Sequence, residues 1–250
     1  MRPYSIITPP FSPVSGGIRV LYGLYGWLLA KGQIAFLNAK FENKDFVAIY
    51  PEISHGNPAE ANTVVRYILA PPGEMASNGI TGPVKFEDTD LIYSFSKLVY
   101  NTDPEHTMFL PILNMHLFKD QKKKRNKKCV FFGKKPSSSV HPKECISIDR
   151  KFAQDQQALA DMLNECSVMY CYDHRTAMTE IARLCGCRIV IIPSDYTKKK
   201  FEDYEPGLNG ISWGLKEEVE LDTEAFREHY QSLRILFEHR LEGFIEETQK

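Results

Sequence analysis

No apolar run in the 250 residues reaches the ~20 that a membrane-spanning helix needs. The most apolar N-terminal stretch, Val20 to Leu29, is interrupted by Tyr, Gly and Trp and follows a Pro-rich segment, not a basic one. It reads neither as a span nor as a signal peptide, and the expected compartment is the cytoplasm. Gly-x-Gly-x-x-Gly is missing too: the glycines after Gly16-Gly17 are Gly23 and Gly26, which disfavours a nicotinamide dehydrogenase. There is no Cys-x-x-Cys. The six cysteines, Cys129, Cys145, Cys166, Cys171, Cys185 and Cys187, are irregularly spaced inside apolar runs and are expected to be buried free thiols with no metal between them. A net charge is also lacking, at −1 overall, but that figure is a cancellation. Residues 119–151 hold 12 Lys/Arg against 3 Asp/Glu, a +9 band between flanks of −2 (1–118) and −8 (152–250).

What is present is ordinary globular composition, 43% hydrophobic and 25% charged, in an α/β rhythm. Tyr4 to Thr8 is expected to be a strand stopped by Pro9 and Pro10. Ser15-Gly16-Gly17 turns the chain into a helix whose apolar positions run Ile18, Leu21, Tyr22, Tyr25, Leu28 and Leu29, with Gly32 beyond its end. Phe46 to Tyr50 reads as a second strand. Asn57-Pro58-Ala59-Glu60 reads as a capping box opening a helix with Ala61, Val64, Val65, Ile68 and Leu69 on its buried stripe. Leu91 to Phe95 and Met108 to Leu113 are two further strands.

The basic band follows, from Lys119 through Lys122, Lys123, Lys124, Arg125 and Lys127 to Lys128, and reads as a linker or surface strip. The rhythm then restarts: strands at Cys129–Phe132, Cys145–Ile148, Val168–Tyr172 and Arg188–Ile192, helices at 157–166 and 176–185, and a long amphipathic helix stepping through Phe226, Tyr230, Leu233, Phe237, Leu241 and Phe244. The expected organisation is two Rossmann-like α/β domains, 1–118 and 129–250, joined by a basic linker at 119–128, with a long C-terminal helix.

Open parallel sheets bind ligands beyond the carboxyl ends of their strands, so the residues there are the candidates. Ser15-Gly16-Gly17 lets bare backbone N–H groups approach a phosphate or a sugar hydroxyl, or is a plain turn. Gly133-Lys134-Lys135 places two ammonium groups where they can neutralise a diphosphate, Lys134 first, or continues the solvated band. In Tyr172-Asp173-His174-Arg175-Thr176, Asp173 is placed to cap the next helix, and Glu180 lies one turn past Thr176, where a carboxylate could hold ribose hydroxyls. Glu52 and His55 follow a buried strand. No nucleic-acid reading module surrounds the lysines, so nucleic acid is not an expected partner.

Several stretches, taken in order, resemble a known family. They are Ile6-Ile7-Thr8 to Ser15-Gly16-Gly17-Ile18-Arg19-Val20-Leu21, then Tyr50-Pro51-Glu52, Gly56-Asn57-Pro58 and Val64-Val65-Arg66-Tyr67. Tyr172 to Thr176, Cys185-Gly186-Cys187 to Pro193 and Gly210-Ile211-Ser212-Trp213-Gly214 complete the set. Together they resemble bacterial polysaccharide-cluster glycosyltransferases of the GT-B fold, retaining and of the glycosyltransferase family 4 type. The resemblance implies two domains facing a cleft and sugar transfer from a nucleotide-diphospho-sugar to a hydroxyl of a polysaccharide or polyprenyl-linked glycan. It implies no cofactor and no metal. By it, Gly133 and Lys134 would face the diphosphate, and Tyr172, Thr176 and Glu180 would bind the nucleotide sugar. Asp173 and Glu52 would be the catalytic carboxylates, with Ser15, Gly16 and Gly17 on the acceptor side. The family's paired glutamates are eight apart, whereas Asp173 and Glu180 are seven apart. That spacing and the shortness of the chain motivate the alternative, a non-catalytic nucleotide-sugar or carbohydrate-binding subunit. Lys122–Lys128 would hold the protein on anionic lipid at the inner membrane face or serve oligomer contacts.

Overall fold

The computed structural model describes residues 1–73, 86–133, 140–173, 175–193 and 197–250. The chain forms two compact units: Met1–Ile112 with Leu233–Lys250, and Leu113–Ser232. The boundary thus falls at Ile112, not 118, and the last residues belong with the first unit instead of with 129–232.

The first unit is built on a five-stranded sheet, all parallel: β1 (Tyr4–Ile6), β2 (Ala35–Leu37), β3 (Val47–Pro51), β4 (Thr63–Ile68) and β5 (Leu91–Ser94), in the order β2-β1-β3-β4-β5. Helix α1 (Gly16–Ala30) buries Val20, Leu21, Leu24 and Leu28 against one face. The last turns of α5 (Thr223–Thr248) add Phe237, Leu241 and Phe244 to the same core. Each fully buried Leu or Phe is worth ~1.5–3 kcal/mol, so this shared core holds the helix down. On the other face Ala48 and Tyr50 of β3 and Val64 of β4 pack with Phe46, and Phe41, Ala59 and Ala61 from the loops lie against them.

The helix expected from Asn57 is strand β4. Its residues Val64 to Ile68 are all buried, and a parallel strand covered on both faces shows no alternation, so its apolar positions also match helical spacing. Asn57 does not cap a helix. Its Oδ1 accepts from Ala61 N at 3.1 Å and from Tyr50 Oη at 3.1 Å, closing a turn in which Glu60 has φ +59°. Met108–Leu113 is not a strand: a single bridge pairs Thr107 with Ser94, and the chain then leaves the sheet.

The second unit repeats the arrangement. Strands β6 (Lys127–Phe131), β7 (Ile146–Ile148), β8 (Cys166–Cys171), β9 (Arg188–Ile191) and β10 (Ile211–Trp213) form a parallel sheet of order β10-β9-β8-β6-β7. Counted from each unit's first strand, both orders are 2-1-3-4-5, a common doubly wound order. Helix α2 (Gln156–Glu165) packs on β8, and α3 (Met178–Leu184) packs on β9. A short turn of helix, α4 (Lys198–Phe201), follows β9. All six cysteines are free; five are buried as expected, whereas Cys145 is half-buried.

The basic band is not a plain linker. Lys127 and Lys128 open β6, and the segment before them is docked on its own unit. Gln121 N donates to Asn164 Oδ1 at 2.7 Å. Arg125 donates to Leu163 O and Cys166 O (3.2 Å each), Cys185 O (2.7 Å) and Asp120 Oδ1 (2.6 Å). Those carbonyls are the C-terminal ends of α2 and α3, where the helix dipole favours a cation. Gly186 passes directly beneath with φ +77°, and a Cβ there would meet Arg125 and Asp120. Lys123, Lys127 and Lys128 pair with Asp161, Glu165 and Glu144, so much of the band's charge is answered locally. Replacing Arg125 by Lys, which keeps the charge but loses the planar fork, is expected to cost ~1–3 kcal/mol in urea unfolding. Unchanged stability would show that the carbonyl contacts add nothing net.

Candidate functional site

In an order of 2-1-3-4-5, the connections from the first and third strands diverge, and a crevice opens beyond their carboxyl ends. In the second unit these strands are β6 and β8. β6 runs out through Phe132 and Gly133, and β8 through Tyr172 and Asp173, so residues 40 positions apart meet at one point. Tyr172 N donates to Phe131 O at 2.9 Å, carrying the ladder one step past the strands. Gly133 has φ +61°, and the Asp173 side chain occupies the place where a Cβ would stand. Only glycine satisfies both conditions. Behind them Cys171 Sγ donates to Asp173 O at 3.0 Å, and burial, then the Asp173 charge, pushes that thiol far up.

Three rings line the same edge. Phe132 and Tyr172 lie 5.1 Å apart at 30°, and His141 stands edge-on to both, at 5.5 Å and 5.7 Å. His141 Nδ1 is 3.0 Å from Tyr172 Oη. Tyr172 is buried, while Phe132 and His141 are half-buried. His141 has no periodic or motif signal in the sequence, and only its position after β6 could have suggested it.

Asp173 does not cap the next helix. Helix α3 begins at Met178 with Ala177 at the cap position, and Thr176 takes the capping part: its Oγ1 accepts from Met178 N at 3.4 Å, and its carbonyl accepts from Thr179 Oγ1 at 3.1 Å. Glu180 is 2% exposed and turned into a buried cluster. It accepts from Thr179 Oγ1 at 3.0 Å, bonds Tyr204 and lies 3.9 Å from Arg183 Nη2. Burial pushes its carboxyl up, against the pull of Arg183. Arg183, 0% exposed, donates to Thr179 O, Pro206 O, Gly207 O and Asn209 O and stacks on Phe226 at 3.9 Å. Burial lowers its pKa to about 10. Glu180 therefore belongs to the packing of the 204–210 loop. Lys134, Lys135 and His174 lie outside the described residues.

In the first unit the equivalent strands are β1 and β3. Ser15 caps α1, its Oγ accepting from Ile18 N at 3.5 Å; a Cβ at Gly16 would meet open space, and one at Gly17 would stand 3.4 Å from Leu69. Glu52 is buried and accepts from Leu69 N at 2.9 Å, tying the ends of β3 and β4 together. His55 is exposed. The stretch Val64 to Tyr67 carries Arg66, fully buried, paired with Asp90 at 2.7 Å and donating to Ser54 O and Gly56 O. Arg66 also lies over the Tyr50 ring at 5.0 Å, so Tyr50, Gly56 and Arg66 share a structural role. Asp88-Thr89-Asp90 sets two carboxylates close in sequence, but Asp90 is taken up by Arg66. Among the described residues no group of three or more His, Cys, Asp or Glu is placed to hold a metal ion, and no helix is long and apolar enough to cross a membrane.

No protein-family model matches the chain, and no curated protein matches it. Among solved structures, it is similar to a functionally uncharacterised protein of Klebsiella pneumoniae subsp. pneumoniae NTUH-K2044, at 11% identity and a TM-score of 0.38, over 80% of this chain and 86% of that one.

Proposed function

We propose that the protein is a glycosyltransferase of GT-B type that moves a sugar from a nucleotide-diphospho-sugar to a hydroxyl of a polysaccharide or lipid-linked glycan. The observation that carries this reading is the meeting of Gly133, Tyr172 and Asp173 at the β6–β8 strand ends. The Gly133 turn lets the chain end of β6 pass against Asp173, the rings offer a flat apolar wall, and Asp173 accepts from sugar hydroxyls or stabilises positive charge at the anomeric carbon. Lys134, next in sequence, would neutralise the departing diphosphate without a metal. Thr176, on the connection from β8 to α3, would contact the same ligand. Ser15, Gly16, Gly17 and Glu52 at the first unit's strand ends would serve the acceptor.

Titration calorimetry with a panel of nucleotide sugars and free nucleoside diphosphates tests this. Binding of at least one donor is expected, and Asp173→Ala is expected to lower its turnover at least tenfold. Silence toward the whole panel would sink the proposal. The second reading, a non-catalytic sugar-nucleotide-binding subunit, is favoured by one observation: Glu180, the carboxylate expected to hold ribose, is enclosed with Arg183 and Tyr204. Donors that bind but never turn over would select it.

A further inference from the structure

We propose that His141 is a positioning residue of the β6–β8 site, holding the rings so that the half-buried face of Phe132 seats a planar ring of the ligand. This rests on the nucleotide reading above and goes past it in naming what the aromatic wall recognises and what fixes it. The three rings differ in burial in a telling way. Tyr172 is 6% exposed and anchored by its own backbone bond to Phe131, whereas Phe132 and His141 are half-buried. The 3.0 Å bond between Tyr172 Oη and His141 Nδ1 ties the half-buried imidazole to that buried ring. With its Nδ1 held there, the imidazole stands edge-on to Phe132 at 68°. Quadrupoles favour that arrangement, and it limits how far Phe132 can swing. Phe132 and Tyr172 continue the apolar cluster of Val130, Val168, Tyr170, Val190 and Ile192 to the strand ends, and the polar bond to His141 is what this end adds to that packing. A flat heterocycle is the ligand group that gains from a ring held still, because stacking is lost when the platform turns away.

The experiment is calorimetric titration of UDP, ADP and inorganic pyrophosphate into the whole protein and into His141→Ala, His141→Asn and Tyr172→Phe, with thermal melts of each. Asn places an Oδ1 close to the position of the imidazole Nδ1, so it keeps the bond to Tyr172. His141→Ala is expected to weaken the preferred nucleotide about five- to tenfold, the worth of one net hydrogen bond, with pyrophosphate changed less than twofold. His141→Asn is expected to restore most of that loss, and Tyr172→Phe to reproduce it. Equal weakening of nucleotide and pyrophosphate, no weakening, or no rescue by Asn would each overturn the role of His141, a fall in melting temperature alone included. If pyrophosphate binds the unaltered protein as tightly as the nucleotides do, the planar-ring inference falls and the anion site stands. If neither binds, both readings fall together.

Discussion

Replacing Arg183 by Leu is expected to cost the protein ~3–5 kcal/mol of stability, because it breaks a fully buried ion pair from one side. The guanidinium reaches the carbonyls of Pro206, Gly207 and Asn209, so the loop between β9 and β10 loses its internal anchor as well. Leucine fills most of the volume, leaving the stranded Glu180 carboxylate as the main source of the loss. That gives the effect a pH dependence with a fixed sign. Burial already raises Glu180 above its ordinary value of 4.5, so the folded state binds its proton more tightly than the unfolded state does. A group raised in this way contributes stability that is present below the unfolded value and is lost as pH rises through the folded one. Without Arg183, the largest influence opposing that rise is gone and the window widens. Urea unfolding should therefore show a smaller cost at pH 5 than at pH 8. Adding Glu180→Gln should recover part of the loss at pH 8 and little at pH 5. A cost below ~1 kcal/mol, or one equal at the two pH values, would show that the pair is not what holds this loop.

This cluster also shows where sequence stops being informative. Glu180 and Arg183 sit three apart on an amphipathic segment, and the spacing alone suits a solvated ion pair or a ligand-facing carboxylate as well as a buried one. What decides is Tyr204, Phe226 and the 206–209 carbonyls, which come from later elements and close over α3. Arg66 is a similar case. A charge in the middle of Val64-Val65-Arg66-Tyr67-Ile68 argues against a buried strand until Asp90, 24 positions on, is seen to answer it. By contrast, β6, β8 and β9 were legible because they are short apolar runs punctuated by Gly133, Asp173 and Pro193, where local chemistry ends the strand whatever the context. The free thiols were legible for a like reason. The short edge strand β2 was not, because three residues with Phe36 half-exposed carry too little pattern. At the candidate site, the sequence marks which residues follow strands. It does not say which strands are neighbours, so Gly133 and Asp173 stand as separate candidates until β6 pairs with β8.

That pairing makes Gly133→Ala the sharpest test of the site. The residue sits at φ +61°, where an L side chain costs ~1–2 kcal/mol, and its new Cβ would stand inside the Asp173 side chain. One of the two must move. If Asp173 and the backbone at Gly133 are the parts that grip the donor, a displacement on the order of 1 Å should lower turnover of any accepted donor by about 10²-fold. A general loss of folding could imitate that result, and a double-mutant cycle separates the two. In an Asp173→Gly background, which removes the Cβ as well as the carboxylate that a Gly133 Cβ would meet, the collision disappears, so Gly133→Ala should then cost only the backbone strain, and its further effect on turnover should shrink to a few-fold. Two variants whose effects simply multiply would mean that Gly133 and Asp173 act separately, and the crevice at the ends of β6 and β8 would lose its standing as a single site.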